Sequence, residues 1–271
     1  MQLQAAKSRF EGQGIKLAAI SYDSRAILAD FSARHRIDFP LLADPGSKTI
    51  ASYQVLNESA TGITSGMAHP GFVYVDASGV VRETYFETAY TDRFTANNLI
   101  AKLFPELVEE TRRSVDAPHL KLTMAQSDRV GIPGSRISLV LDVTVPALTH
   151  VYAPNVTGGY IPINLTITPS PQIEISAARY PSPRTLHLDV IKETVPVFDG
   201  RFRIVQDVKI AATKAMMESI GTGKSIEIAG VFKYQACDDR VCYPPTSIPV
   251  TWRLEALPFD RERSPESIRH R

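Results

Sequence analysis

Residues 231–250 read VFKYQACDDRVCYPPTSIPV and hold the only two cysteines of the chain, Cys237 and Cys242. Just upstream, Ile226-Glu227-Ile228 alternates apolar and polar residues, and just downstream Ile248, Val250, Trp252 and Leu254 recur at every second position. A period of two puts alternate side chains on one face of a strand. Two strands joined this closely are expected to form a hairpin with both thiols near its tip. Four residues separate the cysteines, a loop that a disulfide can close if the Cα atoms come within about 7 Å, as a tight turn allows. Pro244 and Pro245 stiffen the exit and limit pairing there. A structural zinc site takes about four ligands, and no His lies between His187 and His270 to complete one, so no metal is expected. The residues alone leave a redox pair, a structural disulfide and two inert buried thiols open. So short a loop gains little entropy from closure, which weighs weakly against a purely stabilising bond.

Outward from this hairpin the alternation continues. It covers Leu120/Leu122/Met124, Ile137/Leu139/Leu141/Val143/Val145, Ile161/Ile163/Leu165/Ile167, Leu186/Leu188/Val190, Phe202/Ile204 and Val208/Ile210. About seven such strands in roughly 140 residues predict an all-β immunoglobulin-like sandwich over 119–257. Residues 105–118 turn charged and read as a last helix running into a linker, and 258–271 have no apolar face and read as a disordered tail. Residues 1–104 follow another rhythm. Ile15–Tyr22 reads as a buried strand, followed by the N-cap residues Asp23-Ser24 and by Ile27, Leu28 and Phe31 at helical spacing. Phe72–Val75 and Val80–Tyr85 form a hairpin through Asp76-Ala77-Ser78-Gly79, and Thr91–Phe104 reads as an amphipathic helix. This half is α/β.

Composition narrows the function. The 271 residues carry 30 basic and 29 acidic side chains, a net charge of +1, which gives no electrostatic case for nucleic acid or an anionic membrane. The longest uncharged stretch, Val143–Ile173, contains Pro146, Pro154, Pro162, Pro169 and Pro171, so no membrane insertion is expected. The N-terminus has no basic stretch followed by an apolar one; as written, the chain has no signal peptide and would stay in the cytoplasm. Gly221-Thr222-Gly223-Lys224-Ser225 invites a phosphate-loop reading. Glu218 stands where that motif needs glycine, however, and a strand follows, so a plain turn is expected.

The runs GIKLAAISYDSRAILADFSARHRIDFPLLADPGSKTIASYQV (14–55) and GMAHPGFVYVDASGVVRETYFE (66–87) resemble the thioredoxin-fold redoxins of the AhpC/TSA group. In that fold the proline at the position of Pro70 is commonly cis and faces the active-site thiols, so Pro70 is a candidate cis-proline. The resemblance also implies a reactive cysteine between the first strand and first helix. Here the chain begins inside that helix, with Leu3, Ala6 and Phe10 as its apolar stripe, and no cysteine precedes it. Without a thiolate there is no nucleophile for a peroxide, and peroxidase activity is not expected. The missing strand is central in the family's sheet. Its loss would leave two inner edges unpaired, and a start site assigned too late is the expected explanation. His69 lies near this proposed site and reads as a loop residue.

The segment around the cysteines resembles the N-terminal, periplasmic domain of the thiol:disulfide interchange protein DsbD, over roughly 119–257. The resemblance rests on Tyr-Gln-x-Cys and Cys-Tyr-Pro-Pro, with Thr149-His150-Val151-Tyr152 as an early aromatic strand. It implies that Cys237 and Cys242 are the redox pair, with Tyr234 and Tyr152 as shielding neighbours, and that the partner is a thioredoxin-like or membrane-embedded thiol-disulfide protein. The family's acidic pair and capping loop find no match. A truncated thioredoxin-like α/β domain plus an all-β sandwich, working as a thiol-disulfide redox protein without a cofactor, is the resulting expectation. The alternative is a non-catalytic scaffold with a structural disulfide. An oxidising compartment such as the periplasm fits the carrier resemblance and conflicts with the lack of an export signal, unless the start is misplaced.

Overall fold

The computed structural model describes the chain except residues 1, 109–111, 189–191, 221–223, 239, 260–264 and 269–271 and the Ser219 side chain. It divides into two units, Met1–Leu99 with Phe259–Arg271, and Ile100–Pro258.

In the first unit, helix α1 (Gln2–Glu11) buries Ala6 and Phe10, two of the three residues of its expected stripe. Strand β1 (Ala19–Ser21) connects through helix α2 (Arg25–His35) to the parallel strand β2 (Leu41–Ala43). Ser24 caps α2 as its sequence predicts, its hydroxyl accepting the Ile27 N–H at 3.4 Å. Helix α3 (Lys48–Ser52) is anchored by Asp44, whose carboxylate accepts the N–H groups of Lys48 and Ile50 at 3.1 and 2.9 Å. Strands β3 (Gly71–Val75) and β4 (Val81–Phe86) form the expected hairpin, its turn held by Asp76 accepting from the Ser78 and Val80 N–H groups. Among the described residues β1 pairs with β2 alone and β3 with β4 alone. The register partners Ile20 and Leu42 stay 43% and 50% exposed, so one face of the β1–β2 pair is uncovered.

Two expectations in this half are corrected. No peptide bond among the described residues is cis, so the bond from His69 to Pro70 is trans. Trans is the ordinary state of an X-Pro bond, favoured by about 0.5–1 kcal/mol. The local chain is built around it, with the His69 N–H donating to Val55 O at 2.8 Å and Pro70 O accepting the Glu87 N–H at 2.9 Å. The helix expected from Thr91 begins only at Ala96, because the buried Thr95 accepts the Asn98 N–H at 2.9 Å and acts as its cap. A short strand, β5 (Arg93–Phe94), precedes it, and helix α4 runs Ala96–Leu103.

The second unit is almost all β. After a single 3-10 turn at Pro105–Leu107 come β6 (Arg113–Ala117), β7 (Leu120–Gln126), β8 (Val130–Gly131), β9 (Ser135–Thr144), β10 (His150–Tyr152), β11 (Asn164–Ile167) and β12 (Ile173–Arg179). Then follow β13 (Arg184–Leu188), β14 (Glu193–Phe198), β15 (Arg201–Ile210), helix α5 (Lys214–Ser219), β16 (Ser225–Tyr234), β17 (Ala236–Cys237) and β18 (Thr246–Ala256). The stretch expected as a helix and linker is instead partly strand. Val115 and Ala117 face the core from β6, which turns back into β7 at Pro118-His119 with His119 at φ 63°.

One sheet runs β12-β15-β9-β7-β6 and another β11-β16-β18-β8, and their inner faces share a single core. Strand β16 alternates strictly, burying Ile226, Ile228, Phe232 and Tyr234 and exposing their neighbours. Strand β9 is covered on both faces. Leu139 and Leu141 join the main core, while Val140 packs with Ala101, Val108 and Ala125 on the other side. Trp252 ties the layers together through its indole N–H, which donates to Ala125 O at 2.9 Å. Asp207, buried at the β15–β9 seam, takes an ion pair from Lys102 at 2.6 Å and another from Arg179 at 2.9 Å, and accepts the Ser138 hydroxyl at 2.8 Å. Burial pushes its carboxyl up, but the Arg179 hydrogen bond and the Lys102 charge outweigh that and hold it down at about 2. A further sheet, β13-β14-β10-β17, carries the cysteines. The glycine-rich turn at 221–223 and most of the expected tail lie outside the described residues. The described part of the tail contains one 3-10 turn at Glu266–Ile268.

Candidate functional site

The two sulfurs meet because three short segments converge. Strand β10 lies between β14 and β17, with His150 directly opposite Cys237 and Val151 opposite Ala236 in the antiparallel register. The chain then turns, and Cys242 bridges back to Cys237. Backbone bonds fix this return, from Asp238 N–H to Val241 O at 3.0 Å and from Tyr243 N–H to Ala236 O at 2.9 Å. Asp238 builds the turn by accepting the N–H groups of Arg240 and Val241, both at 2.8 Å, and the Tyr243 hydroxyl at 2.8 Å. The Arg240 N–H first, then the Tyr243 hydroxyl, hold the Asp238 carboxyl below the usual carboxylate range. Cys237 and Cys242 form a disulfide with Cα atoms 4.0 Å apart, well inside the bridgeable range.

The two ends of this bond differ in exposure. Cys237 is 1% exposed and packs with Tyr152, Val195 and Val197, whereas Cys242 is exposed. Of the two tyrosines expected to shield the pair, Tyr152 does reach it, its hydroxyl donating toward Cys242 Sγ at 3.7 Å. Burial raises the Tyr152 phenol above its ordinary value, so it remains a donor at neutral pH. Tyr160 packs against Tyr152 with ring centroids 4.5 Å apart and the rings tilted by 40°, and its own hydroxyl donates to Glu193, which pushes the phenol up to about 12. Tyr234 lies elsewhere. It belongs to the main core beside Phe232 and donates its hydroxyl to Pro118 O at 2.6 Å. The alternation of β16 accounts for this, since the inward-facing side of that strand is the sandwich interior.

Reading the sequence by itself missed several residues. His150 is 7% exposed, edge-on to Tyr152 at 5.3 Å. His119 stacks on Tyr243 with centroids 3.7 Å apart. Neither is near the cysteines in sequence, and no spacing signal announces them. Asp238 had a signal, because an aspartate directly after the first cysteine and followed by two polar residues is a turn-forming pattern. Among the described residues no cluster of His, Cys, Asp and Glu could hold a metal ion, and no helix is long and apolar enough to cross a membrane.

Comparison with known proteins agrees with both halves. The sequence model of the AhpC/TSA family matches residues 1–84, and that of the thiol:disulfide interchange protein DsbD, N-terminal, matches residues 121–251. The first of these stretches contains no cysteine and the second contains both. Among solved structures, the N-terminal periplasmic domain of ScsB from Proteus mirabilis aligns at 13% identity over 52% of this chain and 49% of its own, with a TM-score of 0.36. The Neisseria meningitidis DsbD N-terminal domain, in the reduced form, aligns at 14% identity over 42% of this chain and 75% of its own, with a TM-score of 0.30. The chain thus spans about half the length of the ScsB domain structure. A search of the curated proteins found no match.

Proposed function

We propose that the chain is a thiol-disulfide exchange protein in which Cys237 and Cys242 alternate between disulfide and dithiol. The carrying observation is the asymmetry of the bond: Cys242 is at the surface, 3.7 Å from the Tyr152 hydroxyl, and Cys237 is buried in a cluster with Tyr152, Val195 and Val197. In the reducing direction the Cys242 thiolate attacks one sulfur of a partner disulfide and expels the partner's other sulfur as a thiolate. The Cys237 sulfur then attacks Cys242 Sγ, closes the internal bond and releases the partner as a dithiol, so that two electrons and two protons have moved. The reverse direction uses the same atoms, with a partner thiolate attacking Cys242 Sγ and Cys237 leaving.

The partner in this reading is a thioredoxin-like or membrane-embedded thiol-disulfide protein, which the match of residues 121–251 supports. The second unit is read as an immunoglobulin-like sandwich carrying the exchange, and the first as a thioredoxin-like domain that, having no cysteine, contributes no sulfur chemistry. A redox titration of the whole chain tests the proposal. A potential between about −120 and −270 mV is expected of an exchanger, and one below about −300 mV would make the bond a structural one.

A further inference from the structure

We infer that His150 is the proton acceptor for Cys237 when the disulfide closes, an inference that rests on the exchange reading above. Three observations place the imidazole there. His150 and Cys237 are directly opposed in the β10–β17 register, so their side chains project from the same face of the sheet, about 4.5–5.5 Å apart at Cβ. Tyr152, two residues on and therefore on that face too, packs with Cys237 and touches the His150 ring edge-on. The His150 Nε2 atom is buried and has no hydrogen-bond partner among the described residues. A buried nitrogen left without a partner is destabilising, and a thiol beside it is a group it can bond when the pair is reduced.

The chemistry needs such an acceptor. Cys242 is exposed and can lose its proton to water, but Cys237 is shut away from solvent and is the sulfur that must become nucleophilic for ring closure. As the Cys237 sulfur forms its bond to Cys242 Sγ, the bond from Cys242 to the partner breaks and its electron pair leaves on the partner's sulfur. The Cys237 proton passes to Nε2. Facing the imidazole are the Arg184 guanidinium on β13, the Asp199 carboxylate in the turn after β14, Asp238 beyond β17, and the Tyr152 phenol. Burial, aided by Arg184, depresses its pKa below the usual histidine value against the opposite pull of Asp199 and Asp238. The ring is therefore neutral and able to accept at neutral pH.

The test mixes the reduced 271-residue chain with oxidised glutathione, quenches with acid and follows the glutathione adduct and the closed disulfide by mass spectrometry. In His150→Gln and His150→Phe the adduct is expected to accumulate, with closure slowed about a hundredfold. Adduct formation itself, read in a Cys237→Ser background, is expected to stay unchanged. In the wild type, closure should slow as pH falls through the depressed imidazole titration, a readout that needs no variant to fold. Wild-type closure that follows only a thiol titration near about 8.5 would overturn the assignment, as would closure at the wild-type rate in either folded variant. A wild-type chain that never forms the adduct would instead remove the exchange reading on which this one rests.

Discussion

Tyr152 sets its hydroxyl 3.7 Å from Cys242 Sγ, so a buried phenol on one strand reaches the exposed sulfur of a turn 90 residues further along the chain. In the reduced protein that hydroxyl can donate to the Cys242 thiolate, and a hydrogen bond to the charged form lowers a thiol pKa. Tyr152→Phe is expected to raise the Cys242 pKa by about one unit and to slow its attack at neutral pH accordingly. Thiolate absorbance of the reduced chain, titrated in a Cys237→Ser background, reads this directly. An unaltered pKa would mean that the phenol only fills space.

The exposure difference between the sulfurs predicts unequal single-cysteine variants. Cys237→Ser leaves the exposed thiol and should be alkylated by iodoacetamide at least about tenfold faster than Cys242→Ser, which leaves the buried one. Only Cys237→Ser should trap a stable mixed disulfide with a protein substrate. Equal alkylation rates would show that both sulfurs are open to solvent.

The Asp238 turn makes the disulfide sensitive to acid. Because its carboxyl titrates below the ordinary range in the folded chain, the turn is held above about pH 4 and loosens as pH falls through the depressed value. A phosphine, which reduces disulfides in acid, should therefore open the bond several-fold faster below that range than at neutral pH. Asp238→Ala should show the faster rate at every pH, and a flat profile in the wild type would contradict the role given to the carboxylate.

Asp207 governs the stability of the sandwich more than its chemistry. Its carboxyl, held down at about 2, contributes about 2 kcal/mol that is present above the unfolded value near 3.9 and disappears as pH falls toward 2. Asp207→Asn removes the carboxylate charge that Lys102 and Arg179 both pair with and is expected to cost about 3 kcal/mol. Denaturant unfolding at neutral and acid pH should show a lower midpoint in the variant and a weaker loss between pH 4 and 2. Wild-type stability at neutral pH would refute the estimate.

The long period-two strands were legible because each buries one face in a shared core. Strands β9, β16 and β18 fall where Ile137–Val145, Ile226–Ile228 and Ile248–Leu254 alternate. Short elements were not. Strand β17 is only Ala236–Cys237, too brief for a periodic signal, and β6 hides in a charged stretch whose inward residues, Val115 and Ala117, are few. The pairing of Cys237 with Cys242 could be anticipated from their spacing, but not which sulfur would be buried. That depends on β10, some 85 residues away in sequence, lying alongside β17. Tyr234 was misplaced for a related reason. The family resemblance implied it as a shielding neighbour, but a matched position does not settle which face of the strand a side chain stands on, and β16 turns this one inward.

The turn between the cysteines is closed by backbone and carboxylate bonds independently of the sulfurs. Breaking the covalent link therefore leaves Cys237 on β17, held against β10, with Cys242 kept opposite by the bonds from Asp238 to Val241 and from Tyr243 to Ala236. Two thiols tethered in that way act on each other at a very high effective molarity, with little chain entropy left to lose. Any visiting sulfur that bonds to Cys242 thus meets a competitor already in position, and its residence on the protein is brief by construction.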